Sequence, residues 1–272
     1  MYIRVYTMKL IKKAVEIGNG AAVYVPKEYL GKEIVIVLPD SVADLKKRIL
    51  NKLIDFMPNI IGVYLYGSYA RNEQEIDSDI DILIITKEKD NNIKNALESV
   101  DARVVPIQEL KKTIQNYPLL IMPILREAKI LLNPILLEEL NSSKIDLRKL
   151  NWNFEDIKRI IKIAEGLISM DDKNISSSIV YSLMMRVRVC YVMECFLMNK
   201  QFSNEGIKKL FLNSGLNEPE IEKFFHVYRV VRNEENSSIK ITKEEVLGLL
   251  SILKNYLKKL ENETKKKIGK RN

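Results

Sequence analysis

The apolar positions of residues 41–135 favour short strands interleaved with helices. IIGVYLYG, at residues 60–67, is an uninterrupted apolar run typical of a buried strand, and DILIIT and DARVVP are further β-branched runs. Apolar residues recur at helical spacing between Ser41 and Met57, and NNIKNALESV, PIQELKKTIQN and LLIMPILREA also have helical patterns. KILLNP reads as a short strand that either closes the sheet or begins a linker. The order of these elements predicts a mixed α/β sheet.

The pattern changes at about Asn151, where the strand signals stop. Long amphipathic segments then alternate with short stretches of glycine, asparagine and serine, which is typical of a helical bundle. Thr242 and Glu245 have the spacing of a capping box and predict the start of the last helix. We therefore expect a linker at 136–150, a helical bundle at 151–262 and a basic tail at 263–272.

Residues 1–40 read as short strands with turns at Gly18-Asn19-Gly20 and Pro26. Such a piece is too small to hold a substantial core alone, so we expect it to dimerise or to dock on the rest of the chain. Its pattern VEIGNGAAVYVPKEYLGKEIVIVL resembles the AbrB-like swapped-hairpin modules of prokaryotic DNA-binding regulators. The resemblance implies that this small β module contacts DNA or RNA; a structural role is the alternative.

Composition sets broad limits. The chain has 272 residues, of which 46% are hydrophobic and 29% charged, as in ordinary soluble proteins. No segment reaches the roughly 18 apolar residues of a membrane span, and the N-terminus lacks signal-peptide features, so we expect a cytoplasmic protein with no membrane partner. Cys190 and Cys195 are read as buried hydrophobic residues. The net charge of +8 permits attraction to nucleotides or nucleic acid, with a generally lysine-rich composition as an equally good explanation.

The densest polar signal is LYGSYARNEQEIDSDIDILII at residues 65–85. If SDIDILII is a strand, Asp79 and Asp81 point to one face and Ile80 to the other. Two like charges so placed raise the pKa of one of them unless a cation lies between them. Because Mg²⁺ binds carboxylates together with phosphate oxygens, the pair predicts a metal site for a phosphorylated substrate.

The Gly67-Ser68 pair supplies the complementary half of such a site. A glycine between a strand and a helix lets the backbone approach a ligand closely and exposes N–H donors, and the serine adds a hydroxyl for triphosphate oxygens. The G-x-x-x-x-G-K-[ST] string of a Walker loop is absent. The combination favours phosphoryl or nucleotidyl transfer.

The string GSYARNEQEIDSDIDILI resembles the G-S-x10-D-x-D signature of the polymerase-β-like nucleotidyltransferases. It resembles in particular their minimal branch, the MNT proteins of prokaryotic toxin–antitoxin pairs. The resemblance covers residues 41–135. It implies that Asp79 and Asp81 bind two Mg²⁺ ions and that Asp101, which opens DARVVP, is the third carboxylate, either as a metal ligand or as the base near the attacking hydroxyl. The alternative for Asp101 is a turn residue.

The same resemblance implies that Gly67 and Ser68 bind the triphosphate and that Arg71 contacts a phosphate. An ion pair of Arg71 with Glu75 or Asp77 is an equal alternative. Asp77 shares the strand phase of the metal pair but is expected to be a turn residue, with Ser78 available as a cap. Tyr66 and Tyr69 can stack on a base, although packing on the sheet is the favoured use.

The helical half resembles the HEPN fold, which often accompanies minimal nucleotidyltransferases and is related to the helical half of kanamycin nucleotidyltransferase. The matching text is YSLMMRVRVCYVMECFLMNK and VYRVVRNEEN. Arg232-Asn233 fits the start of the R-x(4–6)-H nuclease motif, but positions 237–239 are Ser, Ser and Ile, and His226 precedes the arginine. We therefore predict no nuclease activity and a helix-surface position for His226. Arg229 and Arg232 are close to one helical face and can contact the substrate.

The leading hypothesis is a Mg²⁺-dependent nucleotidyltransferase that moves NMP, with ATP as the expected donor, to a hydroxyl acceptor. A protein tyrosine, a small molecule and an RNA end all remain open as acceptors, and a homodimer remains open as the assembly. The alternative is a non-catalytic nucleic-acid-binding regulator that keeps the fold as a scaffold or nucleotide sensor; the retained carboxylates favour the enzyme. An aminoglycoside-type transferase would need an acidic pocket, and the helical half shows no clear acidic cluster.

Overall fold

The computed structural model describes residues 12, 14–34, 42–74, 78–98, 100–170, 175–234 and 239–269. The chain divides into two compact units, Met1–Asp44 and Leu45–Asn272. In the first unit β1 (Val15–Ile17) pairs antiparallel with β2 (Gly20–Ala22) across a turn in which Gly18 has a φ of 57°. The hairpin expected there is confirmed, whereas the predicted β-branched run after Gly31 lies largely outside the described residues.

The second unit begins with an α/β part. Its elements are α1 (Val42–Lys52), β3 (Ile60–Tyr66), α2 (Gly67–Arg71), β4 (Asp81–Thr86), α3 (Asn92–Asn95), β5 (Asp101–Pro106), α4 (Ile107–Asn116), α5 (Pro118–Glu127), β6 (Lys129–Leu132) and α6 (Pro134–Asn141). The strands form a 4-stranded sheet in the order β5-β4-β3-β6. β3 runs antiparallel to both of its neighbours, and β4 and β5 are parallel. The predicted mixed α/β sheet is therefore confirmed.

Both faces of the sheet are buried, which explains why β3 and β4 read as continuous apolar runs. The side chains on one face of the sheet, including Tyr64, Leu83 and Ile85, belong to a large core that extends into the helical half. Those on the other face, including Ile82 and Ile84, pack in a smaller core against α1 and α3. KILL closes the sheet beside β3, which settles the two possibilities left open for it.

Three local features differ from expectation. β4 begins at Asp81, so Asp79 precedes the strand instead of lying in it. The helix expected over NNIKNALESV is confined to α3, a single short turn. The segment expected as a linker contains α6 and a 3-10 turn at Leu147–Leu150, and its Leu137, Leu140 and Leu150 are buried, so it is part of the core.

The rest of the second unit is helical, as predicted. Its helices are α7 (Asn151–Met170), α8 (Ser177–Met198), α9 (Asn204–Asn213), α10 (Glu218–Arg232) and α11 (Lys243–Gly269). The capping box is confirmed, because Thr242 N–H donates to Glu245 at 2.7 Å and Glu245 N–H to the Thr242 hydroxyl at 3.3 Å. α11 continues through most of the predicted basic tail. Cys190 and Cys195 are free and buried, as expected, and burial raises the pKa of Cys190 to about 12.

Candidate active site

A row of polar side chains crosses the sheet where β4 and β5 begin. Tyr66 on β3 pairs with Asp81 on β4, and Asp81 pairs with Asp101 on β5. Asp101 N–H donates to the carbonyl of Ile80 at 2.9 Å, which fixes this register. Residues directly opposite one another on neighbouring strands point to the same face, so these three side chains lie side by side. The predicted phase is confirmed for Asp81, since Ile82 packs in the smaller core on the other face, whereas Asp79 precedes the strand.

Asp81 is the most electrostatically perturbed carboxylate of the site. Burial raises its pKa to about 6, and the charges of Asp101, Asp79 and Glu127 add to the shift while Arg71 opposes it. Four carboxylates therefore share this edge of the sheet. Asp79 itself is exposed just before the strand. A site in which negative charges repel one another is suited to a bound cation.

Gly67 lies directly against Asp81. It has a φ of 75°, a left-handed conformation that side chains rarely adopt, and a β-carbon at this position would collide with the Asp81 carboxylate. Glycine is therefore required both by the backbone and by the aspartate. The Gly-Ser turn is thus in direct contact with Asp81, one of the two aspartates predicted to bind metal. Ser68 follows in the first turn of α2 and is partly exposed.

Glu127, the last residue of α5, occupies the donors of the Gly-Ser turn. Its Oε1 accepts a hydrogen bond from Gly67 N–H at 2.9 Å, and its Oε2 accepts one from Arg71 Nη1 at 2.7 Å. Arg71 Nε also donates to Glu73 Oε2 at 2.9 Å. Burial alone would lower the pKa of Arg71, but Glu127 and Glu73 outweigh burial and raise it. In this state Gly67 N–H and Arg71 are therefore bound to carboxylates of the chain itself.

The partners expected for Arg71, Glu75 and Asp77, lie outside the described residues. Glu127 was not identified from the sequence because it is far from the motif and no spacing connects them; the only local signal was a carboxylate ending an apolar helix. Tyr66 belongs to the large core and Tyr69 packs against the smaller one, so the favoured packing role is confirmed for both.

The Gly-Ser turn is also joined to the helical half. Glu73 Oε1 accepts Asn204 N–H, at the start of α9, at 3.0 Å. The centre of the Phe202 ring lies 5.1 Å from the guanidinium carbon of Arg71 and 5.4 Å from that of Arg188. Such cation–π contacts stabilise the position of both arginines. α2 and the bundle are therefore connected through charged and aromatic contacts.

Arg188, on α8, is the most buried cation near the turn. Burial lowers its pKa; Tyr228 opposes this shift, and Arg232 and Arg71 add to it. Its guanidinium also lies 5.4 Å from the centre of the Tyr228 ring. No ion pair of Arg188 is present in the part of the chain that the structure describes. Arg188 can therefore accept an anionic partner.

The remaining candidates of the helical half lie on the surface of α10. His226 is exposed, as predicted for a helix-surface residue, and Arg229 and Arg232 are exposed as well. Positions 237 and 238 lie outside the described residues, and residue 239 is isoleucine. The prediction that the bundle lacks nuclease activity remains a prediction.

The structure contains no bound metal, and the fit of Mg²⁺ can be judged from the donor atoms. Among the described residues, no group of three or more His, Cys, Asp or Glu side chains is placed to hold a metal ion together. The predicted ligands Asp79, Asp81 and Asp101 therefore lie along one edge of the sheet, but their carboxylates do not converge on a common metal position. Their donors are carboxylate oxygens, which Mg²⁺ prefers, and a cation would relieve the repulsion that contributes to the raised pKa of Asp81. In donor chemistry and charge these residues fit Mg²⁺.

The mixed sheet thus places aspartates at the start of two parallel strands, beside a Gly-Ser turn. A family model described as a nucleotidyltransferase domain matches residues 46–169. The match includes α6 and α7, which the sequence patterns had placed in a linker and in the bundle. A second family model, described as a putative transposon-encoded protein, matches residues 4–41.

Two solved structures are similar in part. Spectinomycin adenyltransferase from Enterococcus faecialis, in a crystal structure with ATP and spectinomycin, has 17% identity and a TM-score of 0.42, over 78% of this chain and 99% of that one. A nucleotidyltransferase-like protein from Exiguobacterium sibiricum has 14% identity and a TM-score of 0.34, over 79% of this chain and 75% of that one. No curated protein sequence matches the chain. No helix within the described ranges is both long and apolar enough to cross a membrane.

Proposed function

We propose that the chain is a Mg²⁺-dependent nucleotidyltransferase that moves NMP, preferably AMP from ATP, to a hydroxyl group. The observation that carries this proposal is the contact of Gly67 with Asp81, in register with Asp101. It brings the phosphate-binding turn against the carboxylates. In the reaction the acceptor oxygen bonds to the α-phosphorus, the bond from that phosphorus to the bridging oxygen breaks, and pyrophosphate leaves.

Each side chain has a role that follows from its position. Asp79, Asp81 and Asp101 would hold two Mg²⁺ ions, which when bound neutralise phosphate charge and lower the pKa of the acceptor hydroxyl. Asp101, at the outer end of the row, accepts the hydroxyl proton. Gly67 N–H and the Ser68 hydroxyl donate to the triphosphate. We rely on these individual donors and not on a helix dipole, because α2 spans only Gly67–Arg71.

Nucleotide binding requires Glu127 to give up its bonds to Gly67 and Arg71, because a phosphate oxygen would use the same donors. Arg71 then becomes available to a phosphate, as predicted from the motif. Arg188 and the exposed Arg232 lie on the bundle side of the turn and add positive charge there, with Arg229 as a further candidate. The helical half would thus contribute cations to triphosphate binding.

The finer assignments rest on the resemblances. We propose that the bundle is a HEPN-type module without nuclease activity, that the protein acts in a toxin–antitoxin pair, and that a protein hydroxyl, tyrosine included, is the acceptor. We also propose that the N-terminal module binds nucleic acid. Titration of the full chain with duplex DNA at rising salt tests the last point, because binding through phosphates weakens with salt concentration. Absence of binding at low salt would exclude it.

The main proposal is tested with the four α-³²P-labelled nucleoside triphosphates and Mg²⁺, by measuring pyrophosphate release and incorporation into protein, RNA and small hydroxyl compounds. We expect release and incorporation with ATP in preference to the other nucleotides. Tight ATP binding without pyrophosphate release under any condition would instead support the non-catalytic nucleotide sensor, and absence of ATP binding would refute both readings.

A further inference from the structure

The row of side chains that contains Asp81 and Asp101 ends at an open edge of the sheet. β5 is the outermost strand of the order β5-β4-β3-β6. Tyr66, Asp81 and Asp101 occupy successive positions of the row, and the next position beyond Asp101 belongs to no described strand. A strand added there would lie about 4.8 Å from β5. An added strand would therefore place one of its residues beside Asp101, the proposed catalytic base.

The backbone of β5 presents free hydrogen-bonding groups along this edge. Asp101 N–H points to β4, so the groups of Ala102 and Val104 point outward, because successive residues alternate in a parallel ladder. No hydrogen bond beyond the β4–β5 ladder involves the backbone of Ala102 or Val104 within the described residues. Pro106 is the next outward-facing residue and fits the same alternation. It has no N–H, and a residue that faces outward donates none to the β4–β5 ladder. The edge can thus pair with another extended chain.

A groove of about 580 Å³ runs along this edge, between the α3 region and α4, and Asp101 and Arg103 line it. Its volume is in the range of ligand-binding clefts. Its three cations, Lys89, Lys94 and Arg103, have no ion-pair partner among the carboxylates that the structure describes. Glu109 and Asp90 are its acidic members besides Asp101. The three cations and three carboxylates of the lining balance, so the groove does not select a bound segment by net charge.

We propose that the acceptor is a serine or threonine on an extended polypeptide segment that adds to β5 as a further strand. This inference rests on the proposed nucleotidyl transfer and specifies its acceptor. A residue opposite Asp101 would point to the same face of the sheet, with its β-carbon about 5 Å away. The hydroxyl of serine or threonine would then lie beside the Asp101 carboxylate. A tyrosine hydroxyl, at the far end of its ring, would stand well above it, so this edge narrows the protein hydroxyls proposed above to those of serine and threonine.

Only a polypeptide can satisfy this edge in full. A strand supplies carbonyl and N–H groups at the spacing of Ala102 and Val104, and it fixes which side chain faces Asp101. A small alcohol or a nucleic-acid end could reach Asp101 but would leave these groups unpaired. A second copy of the chain, paired through its own β5, would occupy the same edge without presenting a serine or threonine within Asp101–Pro106.

The test uses the full chain, ATP, Mg²⁺ and a ten-residue peptide of alternating valine and glutamine with one central serine or threonine. Two N-methylated forms of the peptide carry the methyl groups on alternate residues, so that one form loses the N–H groups that face β5 and the other loses those that face away. We expect AMP transfer to the parent peptide, a loss of about tenfold or more with the form that lacks the N–H groups facing β5, since each lost hydrogen bond costs up to about tenfold, and little change with the other form. Mass spectrometry identifies the labelled residue.

A variant of the protein gives an independent measurement. Val104→Pro removes one outward N–H, and we expect it to reduce peptide labelling about tenfold while the affinity for ATP stays unchanged. Equal labelling with both methylated forms, or full labelling by Val104→Pro, would overturn the proposal. So would transfer restricted to glycerol, spectinomycin or an RNA 3′-hydroxyl, or a dimer that Val104→Pro dissociates. If the wild-type chain releases pyrophosphate but labels no peptide, only the edge proposal fails; without any release, the proposed function fails first.

Discussion

The carboxylate of Asp81 occupies the space that a side chain at Gly67 would need. This contact explains why the motif begins with glycine at this point: the backbone is left-handed there, and an aspartate on the neighbouring strand closes the space above it. The Gly-Ser turn and Asp81 consequently hold one another in place. A change at either residue should affect both.

Gly67→Ala should therefore destabilise the protein and abolish nucleotide transfer. The left-handed backbone alone costs about 1–2 kcal/mol for alanine, and displacement of Asp81 adds to that cost. Gly166→Ala is the matched control, since Gly166 lies in α7 with open space around it, and we expect it to stabilise the helix by about 0.5–1 kcal/mol. Urea unfolding and pyrophosphate release measure the two effects. Equal behaviour of the two variants would refute the steric explanation.

The double change Asp79→Asn and Asp81→Asn should reduce nucleotide transfer by roughly 10² or more, the scale found when charge stabilisation of a reacting group is removed. The amides keep the shape of the side chains but not their charge for Mg²⁺. Asp55→Asn, an exposed carboxylate in the turn before β3, serves as the control. Labelling with α-³²P-ATP measures the loss. Transfer that persists in the double variant would exclude these aspartates as metal ligands.

The raised pKa of Asp81 predicts a pH dependence of stability in the metal-free protein. Its folded pKa is about 6 against an ordinary 3.8, so the folded state binds the proton more tightly. The contribution of this group is most favourable below about pH 4, is lost as the pH rises through about 6, and stays lost above it. Asp81→Asn should thus stabilise the protein at pH 8 by about 1 kcal/mol, a value reduced for solvent screening at this half-buried site.

The same variant should have little effect at pH 4. Urea unfolding in EDTA at the two pH values gives the difference directly. A gain in stability that is equal at both pH values would show that packing, and not charge, accounts for it. Added Mg²⁺ should stabilise the wild-type chain at pH 8 and leave Asp81→Asn nearly unchanged.

Glu127→Gln should strengthen the binding of metal-free ATP roughly tenfold. The amide oxygen still accepts a hydrogen bond from Gly67 N–H, but the negative charge that opposes a phosphate is gone and Arg71 loses one of its two carboxylate partners. Calorimetric titration measures the affinity, with Glu138→Gln, an exposed glutamate of α6, as the control. Weaker binding in Glu127→Gln would mean that Glu127 supports the turn and does not compete with the nucleotide.

The sequence was sufficient for the features that depend on local pattern. Period-two alternation predicted that Asp81 and Ile82 point to opposite faces of the sheet. The helical pattern after Asn151 predicted the bundle that α7 to α11 form, although α11 continues beyond residue 262 to Gly269. These predictions succeeded because burial on one face determines the pattern of apolar residues.

Contacts between segments that are far apart in the sequence could not be predicted from local patterns. Glu127 reaches Gly67 because α5 packs against β3 and α2, and no spacing in the sequence encodes that. α6 was read as a linker because its short apolar run lacked a clear helical period. The alignment of Asp101 with Asp81 depends on the register of β4 and β5, which a single sequence only suggests.

Two adjacent residues at the end of α5 face in different directions. Glu127 binds the Gly-Ser turn, whereas Arg126 donates to the carbonyl of Phe196 on α8 at 2.8 Å and lies 4.5 Å from the centre of its ring. Displacement of Glu127 by a nucleotide would thus free the end of α5 from the turn while Arg126 still holds it to α8. Two neighbouring side chains of α5 therefore connect the proposed nucleotide site to the helical half.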